Sequence, residues 1–117
     1  MLVLVLLSCV MASLTAALRL VAFDLDGTMW LPEMYEIYRH SGQWKATSDP
    51  NICTDAGGVE VKLLGVTGQT FDYLKDNNIK IAIVSCTDEP VWANELLKLF
   101  RTPKGSYFCH RFLLSIN

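Results

Sequence analysis

Residues 20–30 read LVAFDLDGTMW, an apolar run that changes abruptly into two aspartates one residue apart. The apolar part extends back to residue 18, and such a near-continuous run is typical of a parallel strand that is covered on both faces. The two carboxylates, Asp24 and Asp26, repel and raise each other's pKa unless a cation or a hydrogen-bond donor lies between them. The stretch therefore predicts a central buried strand, residues 18–23, that delivers an acidic pair to a metal ion.

The chain further on alternates between helical and strand patterns. From Thr67 apolar residues recur at helical spacing, until Asn77 and Asn78 provide a helix stop. Residues 79–85, IKIAIVS, are apolar and β-branched, and they predict a second buried strand. A strand, a helix and a parallel strand in this order predict an α/β fold.

A second helix and a third strand are predicted after the IKIAIVS stretch. Residues 88–100, DEPVWANELLKLF, have an apolar stripe at helical spacing, with Thr87 and Asp88 as capping candidates and Pro90 in the first turn. Residues 106–114, SYFCHRFLL, predict the third strand.

The segment between the acidic pair and the first helix, residues 29–58, is polar and irregular, and its prolines and glycines break any long period. Residues 32–40, PEMYEIYRH, predict one or two helical turns, and residues 58–65, GVEVKLLG, predict a hairpin arm. Two interpretations stay open for this segment: a substrate-facing insertion and a solvated connection. Trp30, at its start, is a candidate substrate contact.

Residues 1–18, MLVLVLLSCVMASLTAAL, contain no charged side chain and precede Arg19. They are short for a membrane span. The apolar run ending in small residues near Ala17 resembles a signal peptide without its basic region. An extra buried helix and a start codon chosen upstream of a cytosolic protein are the alternatives. We therefore divide the chain into a leader, residues 1–18, and a domain, residues 19–117.

Composition excludes several classes of protein. The 117 residues correspond to one domain, and ten basic against twelve acidic side chains give a formal net charge of -2. That charge provides no electrostatic footprint for nucleic acid. The four cysteines lack the C-x-x-C spacing of a metal site, and neither histidine completes a zinc-like set, so ordinary thiols are expected.

The polar residues that end the first two predicted strands define a candidate site. Ligands of open α/β sheets gather at the carboxyl ends of the strands, where Asp24 and Ser85 lie. A carboxylate there can attack phosphorus if a cation such as Mg²⁺ neutralises the negative charges, which makes Asp24 the nucleophile. Asp26 is then placed to protonate the leaving oxygen and later to activate water. Thr28 and the amides after the turn, together with Ser85, are candidate donors to phosphate.

Two motifs resemble those of a known superfamily. FDLDGT at the end of an apolar strand resembles the first motif, D-x-D-x-T, of the haloacid dehalogenase superfamily, and IVSCTDEP resembles its second motif with Ser85 as the phosphate-binding hydroxyl. Trp30 and the stretch SCTDEPVWANELLKLF resemble in particular the magnesium-dependent phosphatase family, a branch with little or no cap domain. The resemblance covers residues 19–114. It implies a partial Rossmann-like parallel sheet of haloacid dehalogenase type, flanked by helices and capless or with a small insertion.

The resemblance also implies roles for individual residues. Asp24 is the nucleophile and a ligand of Mg²⁺, and Asp26 is the general acid and base whose backbone carbonyl binds the metal. Ser85, Thr28 and Cys86 are the phosphate-binding positions, although family members usually have arginine where this chain has Cys86. The implied activity is magnesium-dependent phosphomonoester hydrolysis through an aspartyl phosphate.

The same resemblance implies the partner and the location. The expected partner is a phosphorylated small molecule, such as a sugar phosphate, or a phosphoprotein carrying phosphotyrosine. A cytoplasmic location is expected, or a secretory or organellar one if residues 1–17 are a cleaved leader. Membrane association is expected only if the leader is retained.

Two motifs of the family do not occur in the 117 residues. These are a lysine that balances the phosphate charge and an acidic pair that completes the magnesium shell, both of which follow the third strand. Lys98 and Lys104 come too early in the chain to replace that lysine. We therefore expect a fragment, a splice variant or a truncated gene model of a phosphatase, and a phosphate-binding or partner-binding protein without turnover is the alternative. A further alternative is that DLDGT is a solvated turn, since Asp and Gly are common turn residues.

Overall fold

The computed structural model describes residues 20–108 and, as backbone, residues 113–115. The predicted leader, residues 1–18, lies outside the described residues. In chain order the elements are β1 (Leu20–Phe23), β2 (Trp30–Leu31), a 3-10 turn (Met34–Glu36), β3 (Lys45–Ala46), β4 (Ile52–Thr54), β5 (Glu60–Leu63), α1 (Thr67–Asp76), β6 (Lys80–Ser85), α2 (Pro90–Leu99) and β7 (Leu113–Ser115). The α/β class predicted from the sequence is confirmed, while its finer description as a partial Rossmann-like sheet stays a prediction.

A parallel sheet of β1, β6 and β7, in that order, carries the first two predicted strands. Phe23 pairs with Ile83, so the two strands run in step and their carboxyl ends meet at one edge. The first and second strands are confirmed within the described residues, but the central place predicted for the first is wrong there, because the order β1-β6-β7 has β6 in the middle and β1 at one side.

The third predicted strand, residues 106–114, is confirmed only at its end, where β7 pairs in parallel with β6. Its predicted start is wrong, because residues 101–107 form a turn. Thr102 donates its backbone N–H to the carbonyl of Ser106 at 2.9 Å, and the guanidinium of Arg101 lies 3.5 Å from the centre of the Tyr107 ring. These contacts hold the chain in a turn before it can join the sheet. Residues 109–112 lie outside the described residues.

The segment between β1 and α1 folds as an antiparallel sheet with the order β2-β5-β4-β3. The single 3-10 turn and the hairpin of β4 and β5 confirm the local predictions for this segment. Trp30, Trp44 and Cys53 from the segment are buried in the same core as Phe71 of α1 and Leu96 of α2. The interpretation as a solvated connection is therefore wrong, because the insertion shares the core of the domain.

The helices follow the prediction with one correction. Beyond α1, Asn78 adopts a left-handed conformation with φ of 57°, the helix stop expected of the asparagine pair. The N-cap of α2 is Glu89, not Thr87 or Asp88, and it makes no side-chain capping bond. Thr87 instead accepts the backbone N–H of Glu89 at 3.2 Å, which shapes the loop before the helix. Neither helix of the described part is long and apolar enough to cross a membrane.

Candidate active site

A tight turn after β1 holds the acidic pair at the carboxyl end of the strand. The carbonyl of Leu25 accepts the backbone N–H groups of Thr28 at 3.0 Å and Met29 at 2.8 Å, while Gly27 donates to the carbonyl of Trp30 at 3.0 Å. Gly27 has φ of +74°, a conformation that side chains disfavour. Each of these three N–H groups donates within the turn and thereby steadies the loop, while donation from this loop to phosphate stays a prediction.

The two carboxylates of the pair have different surroundings. Asp24 follows β1 directly and its residue is exposed, whereas Asp26 is half-buried. Burial raises the pKa of Asp26 and outweighs the opposite effect of hydrogen bonds from the Trp30 indole, the Met34 backbone and the Thr87 hydroxyl. The negative charge of Asp24 raises this pKa further. One carboxylate thus faces solvent, while the other is held by donors and retains a proton to higher pH.

Trp30 does not lie where a substrate could contact it, contrary to what the sequence suggested. Its side chain is fully buried, 6.0 Å from the ring of Phe100 between centroids, and its Nε1 donates to Oδ1 of Asp26 at 2.9 Å. The prediction of a substrate contact is therefore wrong. A spacing of four residues after Asp26 is the only sequence signal for this contact, and it does not indicate which way the indole turns.

The end of β6 brings Ser85 to the same edge as the acidic pair. Ser85 is 2% exposed, and its Oγ accepts the backbone N–H of Thr87 at 3.1 Å, which leaves its hydroxyl hydrogen for another acceptor. Cys86, one residue further, has an exposed thiol, and Thr28 on the facing loop is also exposed. Sequence reasoning missed Thr87 as a partner of Asp26, because it was interpreted as a helix cap.

The donor set suits Mg²⁺ only in part. Among the described residues no group of three or more His, Cys, Asp and Glu side chains could hold a metal ion. Mg²⁺ is commonly bound by one or two carboxylates together with phosphate oxygens and waters, and Asp24 and Asp26 provide that minimum. Lys104 does not join them, because its Nζ forms an ion pair with Asp76, the last residue of α1. This end of α1 leads into the start of β6. It therefore lies near the amino ends of the parallel strands, whereas the acidic pair lies at their carboxyl ends.

Two comparisons with known proteins identify the family of this chain. A family model described as Acid Phosphatase matches residues 16–111. A Saccharomyces cerevisiae protein, named as a candidate magnesium-dependent phosphatase, is 35% identical over 86 residues, which are 68% of this chain and 46% of the relative. The chain belongs to this acid phosphatase family of haloacid dehalogenase-like, magnesium-dependent phosphatases, which confirms the resemblance seen in the motifs. It spans less than half of the length of the yeast relative.

Proposed function

We propose that the protein hydrolyses phosphomonoesters with Mg²⁺ through a phosphorylated aspartate. Family membership supports a phosphatase, and the printed name of the yeast relative supports magnesium dependence. The observation that carries the proposal is the contrast between the exposed Asp24 and the half-buried Asp26 on one loop. Enzymes that need both a nucleophile and a proton donor commonly separate two carboxylates by their surroundings in this way.

Asp24 is the nucleophile in the proposed reaction. Its exposed carboxylate forms a bond to phosphorus while the bond from phosphorus to the leaving oxygen breaks, and the leaving oxygen takes a proton. A water then attacks the aspartyl phosphate, which releases inorganic phosphate and restores Asp24. The exposed position after β1 supports this role, since substrate can reach the carboxylate from solvent.

Asp26 supplies and recovers the proton. Its raised pKa favours the protonated form that the leaving oxygen requires, and the resulting carboxylate can then accept a proton from the attacking water. Proton donation and recovery by one group leave the enzyme unchanged after each cycle.

Ser85, Thr28 and Cys86 hold the phosphate, and the acidic pair would also hold the metal. Ser85 donates its hydroxyl hydrogen to a phosphate oxygen, and Thr28 and Cys86 are the other phosphate-binding positions. The Asp24 carboxylate and the Asp26 backbone carbonyl would hold Mg²⁺, which neutralises negative charge on the phosphate. The substrate is a sugar-type phosphate or phosphotyrosine.

The finer description of the fold and the location belong to the same proposal. The parallel order β1-β6-β7 supports a partial Rossmann-like sheet of haloacid dehalogenase type, with the antiparallel sheet as its small insertion. We assign the domain to residues 19–117 and, by family, to the cytoplasm.

Hydrolysis of para-nitrophenyl phosphate, with and without Mg²⁺, tests the proposal. We expect magnesium-dependent turnover that is lost in Asp24→Asn. Asp49→Asn is the matched control, because Asp49 is exposed in the insertion and an amide oxygen can still accept the N–H of Asn51 that Oδ1 now accepts at 2.8 Å. Unchanged turnover in Asp24→Asn, or equal loss in both variants, would contradict the role of Asp24.

Phosphate or partner binding without turnover is the second candidate. Cys86 favours it, because an exposed cysteine stands where family members usually have an arginine aimed at the substrate. Isothermal titration of the folded chain with vanadate or phosphate, beside the hydrolysis assay, separates the two candidates. Binding without hydrolysis would support the second, and absence of any binding would remove it.

A further inference from the structure

We infer that Tyr35 and Glu33 select the organic part of the substrate, and that they favour an uncharged ring alcohol over one with a second negative charge. The inference rests on the proposed function, because it concerns the leaving group of the same reaction. It goes further by naming two side chains for specificity and the class of phosphomonoester that they accept.

The 3-10 turn that carries these residues is attached to the acidic pair. The backbone N–H of Met34 donates to Asp26, and the Met34 side chain is buried in the core. The turn is also closed on itself, because the carbonyl of Glu33 accepts the N–H of Glu36 at 2.9 Å and Oε1 of Glu36 accepts the N–H of Glu33 at 2.9 Å. The residues on either side of Met34 are therefore held beside Asp26.

The side chains of Glu33 and Tyr35 lie close to the loop that presents the acidic pair. Oε1 of Glu33 faces Gly27, where it would lie 3.4 Å from an added Cβ. The hydroxyl of Tyr35 donates to the Glu33 carboxylate, and this bond is the main reason why the pKa of Tyr35 is raised. Tyr35 is nevertheless 62% exposed, so a ligand can reach its ring. An accessible aromatic ring is thus held next to the candidate site.

The proposed reaction determines which part of the substrate meets these side chains. Asp26 protonates the leaving oxygen, so the organic group on that oxygen lies on the Asp26 side of phosphorus. Glu33 and Tyr35 lie on that side as well, because their turn is bonded to Asp26. A tyrosine ring can pack against the flat face of a sugar or a phenol, and its bond to Glu33 orders it before the substrate arrives.

The charge of Glu33 disfavours the other class of substrate. Residues 24–38 and 85–97, which contain the loops of the site, include no lysine, arginine or histidine. A carboxylate or second phosphate on the leaving group would therefore approach Glu33 with no cation from these two segments to receive it. Like charges placed together reduce binding of the wrong partner. An uncharged ring alcohol avoids this repulsion.

Binding of analogues that cannot be hydrolysed tests the inference without turnover. The probes are phenylphosphonate and para-carboxyphenylphosphonate, which differ by one carboxylate. Each is titrated into the full chain with Mg²⁺, and the Tyr35 ring is followed by NMR after assignment through Tyr35→Phe. We expect phenylphosphonate to bind more tightly and to shift the Tyr35 resonances. Equal binding of the two probes, or unmoved Tyr35 resonances, would overturn the inference and leave the phosphate site intact.

Glu33→Gln keeps the shape of the side chain and removes its charge. The preference for phenylphosphonate should shrink about 3–10-fold in this variant, and the effect should be smaller in about 0.5 M salt. Glu60→Gln is the matched control, because Glu60 is also exposed but belongs to β5, where its Oε1 lies 3.8 Å from Nζ of Lys62. An unchanged preference in Glu33→Gln, or an equal change in Glu60→Gln, would overturn the role of Glu33.

Tyr35→Ala removes the ring and should weaken phenylphosphonate binding about 3–10-fold, whereas Tyr35→Phe should lose less. Tyr38→Ala is the matched control, because Tyr38 is 96% exposed and lies beyond the 3-10 turn. Inorganic phosphate has no organic group and should bind equally to wild type and to Tyr35→Ala. An equal loss of phosphate and phenylphosphonate binding would refute a contact with the organic group.

Two further arms separate the sources of the ring and the two proposals. Competition against phenylphosphonate by a hexose phosphate, or by the uncharged amide of N-acetyl phosphotyrosine, distinguishes a sugar from a phenol; competition by neither would overturn the substrate class. Selective binding of phenylphosphonate without hydrolysis of para-nitrophenyl phosphate would support the inference and contradict turnover. Absence of binding by phosphate and by both phosphonates would overturn the proposed site together with the inference.

Discussion

Replacement of Asp55 by asparagine should destabilise the insertion, because an NH₂ group would replace one of the two carboxylate oxygens. Asp55 follows β4, and its side chain is 0% exposed. Its Oδ1 accepts the backbone N–H groups of Gly57 and Val59, each at 2.9 Å. Its Oδ2 accepts the backbone N–H of Ser41 at 3.0 Å and lies 3.1 Å from Nδ1 of His40. The carboxylate thus joins the chain before β3 to the turn between β4 and β5.

The magnitude follows from what an amide can replace. The oxygen of asparagine can take the place of Oδ1 and keep the bonds from Gly57 and Val59. Its NH₂ group would then stand where Oδ2 was, with its hydrogens directed at the N–H of Ser41. A buried donor left without an acceptor costs about 1–3 kcal/mol, so we expect the free energy of unfolding of Asp55→Asn to fall by about 2 kcal/mol.

Urea denaturation of the two proteins measures this difference. The midpoint should fall in Asp55→Asn at an unchanged slope, which would indicate lost stability rather than a changed unfolded state. Asp49→Asn, at an exposed carboxylate of the same insertion, should remain within about 0.5 kcal/mol of wild type. A free energy of unfolding for Asp55→Asn within that same margin would refute the reasoning.

The pH dependence of stability gives the same carboxylate a second test. Burial alone would raise the pKa of Asp55, but the N–H groups of Ser41, Val59 and Gly57 and the ring of His40 outweigh it, so the pKa is lowered. A lowered pKa contributes stability above the unfolded-state value of about 3.9, and this contribution is lost as pH falls through the folded-state value. The gap in stability between wild type and Asp55→Asn should therefore narrow in acid below about pH 4. A gap that stays constant into that range would contradict the assignment.

Two further predictions concern packing and thiol chemistry. A Cβ at Gly68 would lie 2.9 Å from Cδ of Pro103. Gly68→Ala should therefore lower the free energy of unfolding, measured by thermal denaturation, by about 1–3 kcal/mol, despite the better helix propensity of alanine. Gln69→Ala, at an exposed position of the same helix, should be near neutral, and an equal effect of both substitutions would contradict the clash. Burial raises the pKa of the Cys53 thiol to about 12. A thiol reagent at neutral pH should therefore modify the exposed Cys86 of the native chain and spare Cys53, which peptide mass spectrometry can measure. Equal labelling rates of the two cysteines before unfolding would contradict the burial of Cys53.

Local patterns predicted the elements that place the candidate site. The apolar runs that became β1 and β6 were long and uninterrupted, and the helix stop after α1 was marked by Asn77 and Asn78, so neighbouring residues alone determined these elements. The turn after β1 was also indicated locally, because Gly27 allows the positive φ that the loop requires. The positions of Asp24 and Ser85 at one edge then followed from the parallel order of two strands.

Contacts within the site depended on packing that the sequence pattern does not display. Thr87 was interpreted as a cap because threonine before a helix commonly caps it, yet its loop turns the hydroxyl towards Asp26. The third strand was predicted to begin too early, since the apolar residues around Tyr107 resemble a strand until Arg101 holds them in a turn. In both cases a side-chain contact, from Asp26 across the site or from Arg101 within the turn, outweighed the preference of the neighbouring residues.

The sequence by itself determined the α/β class, the order of the principal elements, the acidic pair at the end of β1 and the family to which the chain belongs. Only the tertiary structure decided that Trp30 turns inward to bind Oδ1 of Asp26, and that Asp55 accepts three backbone N–H groups from two segments of the insertion. The physical reason is that periodicity reports which face of an element is buried, whereas a hydrogen bond between side chains depends on the direction of both groups. That direction is set by packing among β2, β5 and α2, which come together only when the chain has folded.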